Sequence, residues 1–152
     1  MKERVLIIDD KIENRQSALE TISSEVYEVV TAGGYDEGMN LLEKEHFEWV
    51  MTDLYMPGTN EVVASQRQGP IANGLVIAIV AMAKAEVKGV CVLTDADAHQ
   101  DALVATLASY RFSYEETPRV HFVVVRSRGK GKNWGQAFGD SFSKSPVTGK
   151  CF

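Results

Sequence analysis

The sequence has few cysteines and no apolar run long enough to cross a membrane. Its two cysteines are Cys91, inside an apolar run, and Cys151, next to the end. We therefore expect no structural disulfide and favour a reducing, cytoplasmic environment. The longest apolar stretch, residues 75–83, is well short of the roughly 20 residues of a spanning helix. The apolar run after Arg4 is likewise too short for a secretory signal peptide.

The length and charge of the chain are typical of one soluble globular domain. Its 152 residues, with 45% hydrophobic and 24% charged, leave room for one sizeable core. The formal net charge of -5 gives no reason to expect nucleic acid or an anionic membrane as a partner. After Thr117 basic residues dominate and Asp140 is the only acid. A basic end can bind phosphate or nucleic acid, but more often it is a solvated tail or complements an acidic face.

The centre of the sequence is a short apolar run that ends in an aspartate. Residues 49–52 are largely apolar and partly β-branched, Asp53 follows them, and Pro57-Gly58 then breaks the run. This pattern predicts a buried strand with Asp53 at its carboxyl end. The apolar run 5–8 ends in the same way, with Asp9 and Asp10.

Three carboxylates would meet if these two strands lie parallel in one sheet, because ligand sites form at the carboxyl edge of such sheets. A cluster of this kind repels itself unless a cation or shared protons compensate, and oxygen-only ligands suit Mg²⁺. Taken singly, each aspartate is equally well explained as a turn residue or a helix N-cap. The conjunction of the three favours a magnesium-dependent phosphoryl site.

Strand and helix patterns alternate along the chain, which predicts a parallel sheet with right-handed crossovers. The expected fold is an α/β three-layer, doubly wound sandwich with a five-stranded sheet. We expect one domain over residues 1–142 and a C-terminal tail over 143–152. The predicted strands are 5–8, 26–32, 49–52, 89–93 and 120–125, and the predicted helices are 13–23, 35–44, 74–86, one that ends near 110, and 134–142.

Three segments together resemble the receiver domain of two-component response regulators. They are residues 5–10, the run from Thr52 to Gly58 with its Asp-x-x-Met-Pro-Gly pattern, and residues 90–94. The resemblance extends to about Val125. It implies a flavodoxin-like fold and a protein that takes a phosphoryl group from a sensor histidine kinase or a phosphotransfer protein. It also implies that the chain catalyses its own phosphorylation rather than turning over a substrate, and signals through a downstream protein partner.

The same resemblance assigns roles to individual residues. Asp53 would be the phosphoacceptor, and Asp10 and Asp53 would bind Mg²⁺ directly. Asp9 would bind the ion through water, and the carbonyl of Tyr55 would be a further ligand. Thr94 would supply the hydroxyl that moves to the phosphoryl group.

One departure from the family concerns the basic residue that pairs with the phosphoryl oxygens. Receivers usually carry Lys-Pro just after the fifth strand, whereas this chain has a basic, glycine-containing run from Arg126 to Lys132. Arg126 is nearest to the expected place and is the predicted replacement. Lys130 and Lys132 are alternatives that could reach back on the loop. An arginine fork is not equivalent to a lysine point charge.

Two further segments admit two interpretations each. Residues 59–73 look like an inserted loop beside Asp53, which could gate access or contact a partner, or be a passive surface loop. Residues 94–101 gather three acids and His99 and invite a metal interpretation. A helix N-cap explains them more simply, because the spacing lacks the glycine and glutamate of a calcium loop.

Two other functions compete with a phosphorylated receiver. The first is a receiver-like binding module that phosphorylation does not regulate, in which the altered basic loop and the insertion serve a constitutive contact. The second is a phosphohydrolase with an aspartyl nucleophile. That class typically has Asp-x-Asp after the first strand, whereas Asp9 and Asp10 are adjacent here.

Overall fold

Strands and helices alternate in the computed structural model, which describes residues 1–56, 72–95, 101–109, 121–127 and 132–142. The strands are β1 (Glu3–Ile8), β2 (Tyr27–Ala32), β3 (Trp49–Asp53), β4 (Gly89–Thr94) and β5 (His121–Arg126). The helices are α1 (Ile12–Thr21), α2 (Tyr35–Lys44), α3 (Asn73–Ala83), α4 (Ala102–Ser109) and α5 (Trp134–Phe142). None of the helices in these ranges combines the length and apolar character that crossing a bilayer requires.

The five strands form one sheet in the order β2-β1-β3-β4-β5, and every neighbouring pair is parallel. β2 pairs with one side of β1, and the next strand, β3, pairs with the other side of β1. This reversal opens a crevice at the carboxyl ends of β1 and β3, which is where doubly wound sheets bind ligands. The predicted five-stranded parallel α/β sandwich is confirmed.

Helices cover both faces of the sheet, so alternate residues of a strand enter different cores. Val5 and Ile7 join a core with residues of α1 and α5, while Leu6 and Ile8 join one with residues of α2, α3 and α4. Burial on both faces explains why β1 and β4 read as continuous apolar runs rather than as alternating patterns. The molecule is therefore three layers deep, with β1 and β3 in its interior.

The helix bounds agree with the sequence prediction at some ends and differ at others. α2 and α5 have the predicted bounds. α3 begins at Asn73 and ends at Ala83, before the predicted Glu86, because the Lys84 N–H turns back to the Ala81 carbonyl at 3.1 Å. The proposed insertion lies almost wholly outside the described residues, which omit 57–71, and the predicted tail 143–152 lies outside them as well.

The N-cap interpretation of the acidic run before α4 is confirmed at its last residue. The Asp101 carboxylate accepts a hydrogen bond from the Val104 N–H at 3.0 Å, which satisfies one of the free N–H groups of the first turn. Residues 96–100 lie outside the described part of the chain.

The first turn of α3 lies against the end of β3, and a glycine makes this approach possible. A Cβ at Gly74 would lie 1.8 Å from the Asp53 carbonyl oxygen, and the Gly74 N–H donates to the Leu54 carbonyl at 3.1 Å. The start of α3 is thus held directly beside Asp53.

We expect Gly74→Ala to push α3 away from β3 and to lower the free energy of unfolding by about 1–3 kcal/mol. Urea unfolding would measure this change. Gly33→Ala is the matched control, since its Cβ would meet only side-chain atoms of Arg15 and Glu37 at 3.4 Å. Equal stability of the two variants would contradict the close approach.

Candidate functional site

The register of the parallel strands brings the acidic residues together. Ile8 of β1 is paired with Thr52 of β3, so Asp9 and Asp53 each follow one residue later at the same edge of the sheet. Leu93 of β4 is paired with Asp53 on its other side. The carboxyl ends of three strands therefore meet around Asp53.

Three carboxylates converge there as the sequence predicts. Asp9, Asp10 and Asp53 each offer an oxygen, and these oxygens all lie within 4.8 Å of one another. Asp9 is fully buried, Asp53 is 4% exposed, and Asp10 is half-buried. A compact set of carboxylate oxygens fits a hard divalent cation such as Mg²⁺, and Asp10 leaves an open side toward solvent.

The Asp9 carboxylate is held by three donors from two ends of the chain. Its Oδ1 accepts from the Lys11 N–H at 2.9 Å. Its Oδ2 accepts from Asn14 Nδ2 at 2.9 Å and from Trp134 Nε1 at 3.1 Å. Neutral donors thus compensate a buried charge, which would otherwise be costly. Sequence reasoning missed both Asn14 and Trp134.

The basic partner of Asp53 is Lys132. Its Nζ lies 2.6 Å from Asp53 Oδ2 and 3.9 Å from Asp9 Oδ2, and its side chain is 4% exposed. From the sequence, Arg126 is the preferred candidate for this role and Lys132 is one of two alternatives. Arg126 ends β5, but its side chain lies outside the described residues, so its role stays a prediction.

Lys132 reaches the site because it immediately precedes the cap of α5. Asn133 accepts from the Gln136 N–H through Oδ1 at 2.9 Å and from the Ala137 N–H through its carbonyl at 3.0 Å. An Asn followed three residues later by Gln resembles a capping box. That signal locates the start of α5 and could have favoured Lys132. Asn14 was also detectable, because it lies one helical turn before the inward-facing Ala18.

Burial changes the proton affinity of Asp53 more than the lysine does. Burial raises the pKa of the Asp53 carboxyl from 3.8 to about 6, against the opposing effect of Lys132. The neighbouring charges of Asp9 and Asp10 also raise this pKa, by a smaller amount. The cluster is therefore short of positive charge, which is what a divalent cation would supply.

Tyr55 and Thr94 lie on the segments that the sequence analysis named. The Tyr55 hydroxyl donates to Asp101 Oδ2 at 2.6 Å. Burial first, and then this carboxylate, raise the pKa of Tyr55 to about 12. Thr94 is fully buried at the end of β4, and its carbonyl accepts from the Ser127 N–H at 2.7 Å. Thr94 thus belongs to the same edge of the sheet as Asp53.

Comparison with known proteins identifies the family of this chain. The family model described as the response regulator receiver domain matches residues 5–108, more than half of the 152 residues. The chain belongs to the response regulator receiver family. Among curated proteins, none has a sequence that matches this receiver significantly.

Solved receivers share the fold of this chain at low sequence identity. A CheY-like receiver protein of Methanospirillum hungatei is 16% identical with a TM-score of 0.57, over 86% of this chain and 85% of that one. TrrA of Thermotoga maritima, in complex with Mg²⁺-BeF, is 22% identical with a TM-score of 0.53, over 82% and 87%. CheY4 of Vibrio cholerae is 20% identical with a TM-score of 0.50, over 70% and 80%. At these identities the likeness concerns the fold alone.

The raised pKa of Asp53 predicts that the free energy of unfolding depends on pH when a chelator removes metal ions. Well below pH 3.8 the carboxyl is protonated in both the folded and the unfolded chain, whereas above about pH 6 it is ionised in both and its buried charge destabilises the fold. The free energy of unfolding, relative to that of Asp53→Asn, should therefore fall by about 2–3 kcal/mol from pH 4 to pH 7. Urea titrations of both proteins across this range measure the difference. A constant difference would contradict the assigned pKa.

Trp134 should report metal binding, and Trp49 should not. The Trp134 indole touches Asp9, whereas Trp49 begins β3 at the far end of the sheet and donates to Glu3 Oε2 at 2.7 Å. We expect Mg²⁺ to change the fluorescence of Trp49→Phe, which retains Trp134. It should leave that of Trp134→Phe unchanged. The reverse pattern would place the ion elsewhere.

Proposed function

We propose that this receiver takes a phosphoryl group on Asp53 in a Mg²⁺-dependent reaction and signals through a partner protein. The donor is the phosphohistidine of a sensor kinase or phosphotransfer protein. The observation that carries this proposal is the buried Asp53 carboxylate beside Asp9, Asp10 and Lys132. Family membership supports a phosphoacceptor role in two-component signalling.

The chemistry needs few groups, and the chain supplies most of them. An Asp53 carboxylate oxygen attacks phosphorus, the new P–O bond forms as the P–N bond of the donor breaks, and the imidazole leaves. Before transfer the Lys132 ammonium pairs with the Asp53 carboxylate. After transfer it would pair with the oxygens of the new phosphoryl group. A positioned ammonium stabilises the charge on those oxygens, so catalysis is mainly electrostatic and positional.

The acidic residues would hold the metal ion. Asp10 and Asp53 would bind Mg²⁺ directly, Asp9 would bind it through water, and the Tyr55 carbonyl would complete the protein ligands. TrrA, a structural relative, was solved in complex with Mg²⁺-BeF. A bound Mg²⁺ supplies positive charge that neutralises the phosphoryl oxygens.

The remaining assignments extend the same proposal. The Thr94 hydroxyl would move to the phosphoryl group and so change the surface around β4, α4 and β5. Arg126, which is paired with Thr94 in the sheet register, would be a second cation near the phosphoryl group. The receiver would comprise residues 1–142, followed by a tail over 143–152, and act in the cytoplasm.

The competing function is a binding module that phosphorylation does not regulate. The ion pair between Lys132 and Asp53 favours it, because a carboxylate that is paired with an ammonium at 2.6 Å is a weaker nucleophile. Breaking such a buried pair carries a cost that the transfer reaction would have to overcome.

Phosphoryl uptake separates the two functions. With phosphoramidate and Mg²⁺, we expect intact mass spectrometry to show one phosphoryl adduct on the wild type, because Asp53 is oriented beside Lys132. The adduct should be absent in Asp53→Asn and in the presence of a chelator. It should persist in Asp140→Asn, which changes an exposed aspartate of α5. A wild type without an adduct would support the binding module, and an adduct on Asp53→Asn would reject Asp53 as acceptor.

A further inference from the structure

One buried amide links the acidic cluster to the lysine. Asn14 lies in the first turn of α1 and is 6% exposed. Its Nδ2 donates to Asp9 Oδ2 at 2.9 Å, and its Oδ1 accepts from the Lys132 N–H at 3.2 Å. The second bond joins residues 118 positions apart in the chain. Asn14 is thus a bridge between the β1–α1 loop and the entry to α5.

The two ends of this amide match their partners chemically. The ionised Asp9 carboxylate only accepts hydrogen bonds, and the Lys132 N–H only donates them. An asparagine side chain offers one group of each kind, so both buried partners are satisfied by one residue. A leucine of similar size would satisfy neither, and an aspartate would satisfy only Lys132. The asparagine at residue 14 therefore supplies both groups that the bridge requires.

Lys132 needs such a bridge because β5 does not hold it. Arg126 is the last residue of β5, and Lys132 follows six residues later, beyond the reach of the sheet hydrogen bonds. Its main chain is instead fixed by Asn14 on one side and by the helix that starts at Trp134 on the other. Trp134 donates to the same Asp9 oxygen as Asn14. Both contacts therefore fix the position of the Lys132 main chain relative to the Asp9 carboxylate.

We infer that Asn14 is a positioning residue for phosphoryl transfer, in that it holds the Lys132 main chain so that its ammonium meets the phosphoryl oxygens on Asp53. This inference rests on the proposed function. Among the described residues, the side-chain hydrogen bonds of Asn14 go to Asp9 and to the Lys132 N–H, and none goes to Asp53. It acts through Lys132, whose Nζ lies 2.6 Å from Asp53 Oδ2.

The test compares Asn14→Leu with Gln16→Leu, a matched change on the exposed side of the same helix. At saturating Mg²⁺ and phosphoramidate, we expect Asn14→Leu to slow phosphoryl uptake by about tenfold to a hundredfold. A displacement of about 1 Å in a positioned group has an effect of this size. Gln16→Leu should remain close to the wild-type rate.

A second readout follows Lys132 without any phosphorylation. An amine-acylating reagent should modify the buried Lys132 much more slowly than the exposed Lys44 in the wild type, as measured on peptides by mass spectrometry. Asn14→Leu should raise the relative modification of Lys132, because its main chain loses the acceptor. Asn14→Gln keeps an amide that can still donate to Asp9 and accept from the Lys132 N–H, so Lys132 should be modified less in this variant than in Asn14→Leu. Equal modification of Lys132 in the Leu and Gln variants would overturn the hydrogen-bond role.

The two readouts separate failure of this inference from failure of the proposed function. If the wild type takes up no phosphoryl group, the proposed function fails, and the modification of Lys132 still decides whether Asn14 holds it. If the wild type is phosphorylated, a change in only one readout on Asn14→Leu overturns the inference. Slower uptake with Lys132 still protected, or exposed Lys132 with normal uptake, would each show that Asn14 does not act through Lys132.

Discussion

The mutual repulsion of three carboxylates is the constraint on which the site depends. Parallel register forces Asp9 and Asp53 side by side, and Asp10 follows within 4.8 Å. One buried lysine and three neutral donors offset part of this charge, but burial still raises the pKa of Asp53 to about 6. A site in this condition favours additional positive charge, and that property makes it suited to a divalent cation and to phosphoryl transfer.

The last helix is part of this charge balance as well as of the fold. Phe138 and Phe142 of α5 pack edgewise and tilted against Trp49 and Tyr27, which holds the helix on the sheet. The same helix begins with the residues that deliver Lys132 and the Trp134 indole to the acids. Packing far from the site therefore sets the position of the cation beside Asp53. Asp53 is in turn paired with Lys132, two residues before the start of α5.

A second connection leads from the site to α4. Tyr55, two residues beyond Asp53, donates to Asp101, which caps α4. Asp101, the last acid of the run that suggested a metal site in the sequence, thus serves the helix and the Tyr55 hydroxyl. Among the described residues, only Asp9, Asp10 and Asp53 form an acidic group that could hold a metal ion.

Sequence alone determined the order of strands and helices, the parallel α/β class and the convergence of the acids, because these follow from local periodicity and from the edge that parallel strands share. The bounds predicted for α2 and α5 from the sequence also equal the observed bounds. Tertiary structure decided which cation lies beside Asp53, and it revealed Asn14 and Trp134. The contacts of Lys132 with Asp53 and Asn14, and of Trp134 with Asp9, join segments far apart in the chain. Their geometry depends on how α5 packs across α1, which no local pattern encodes.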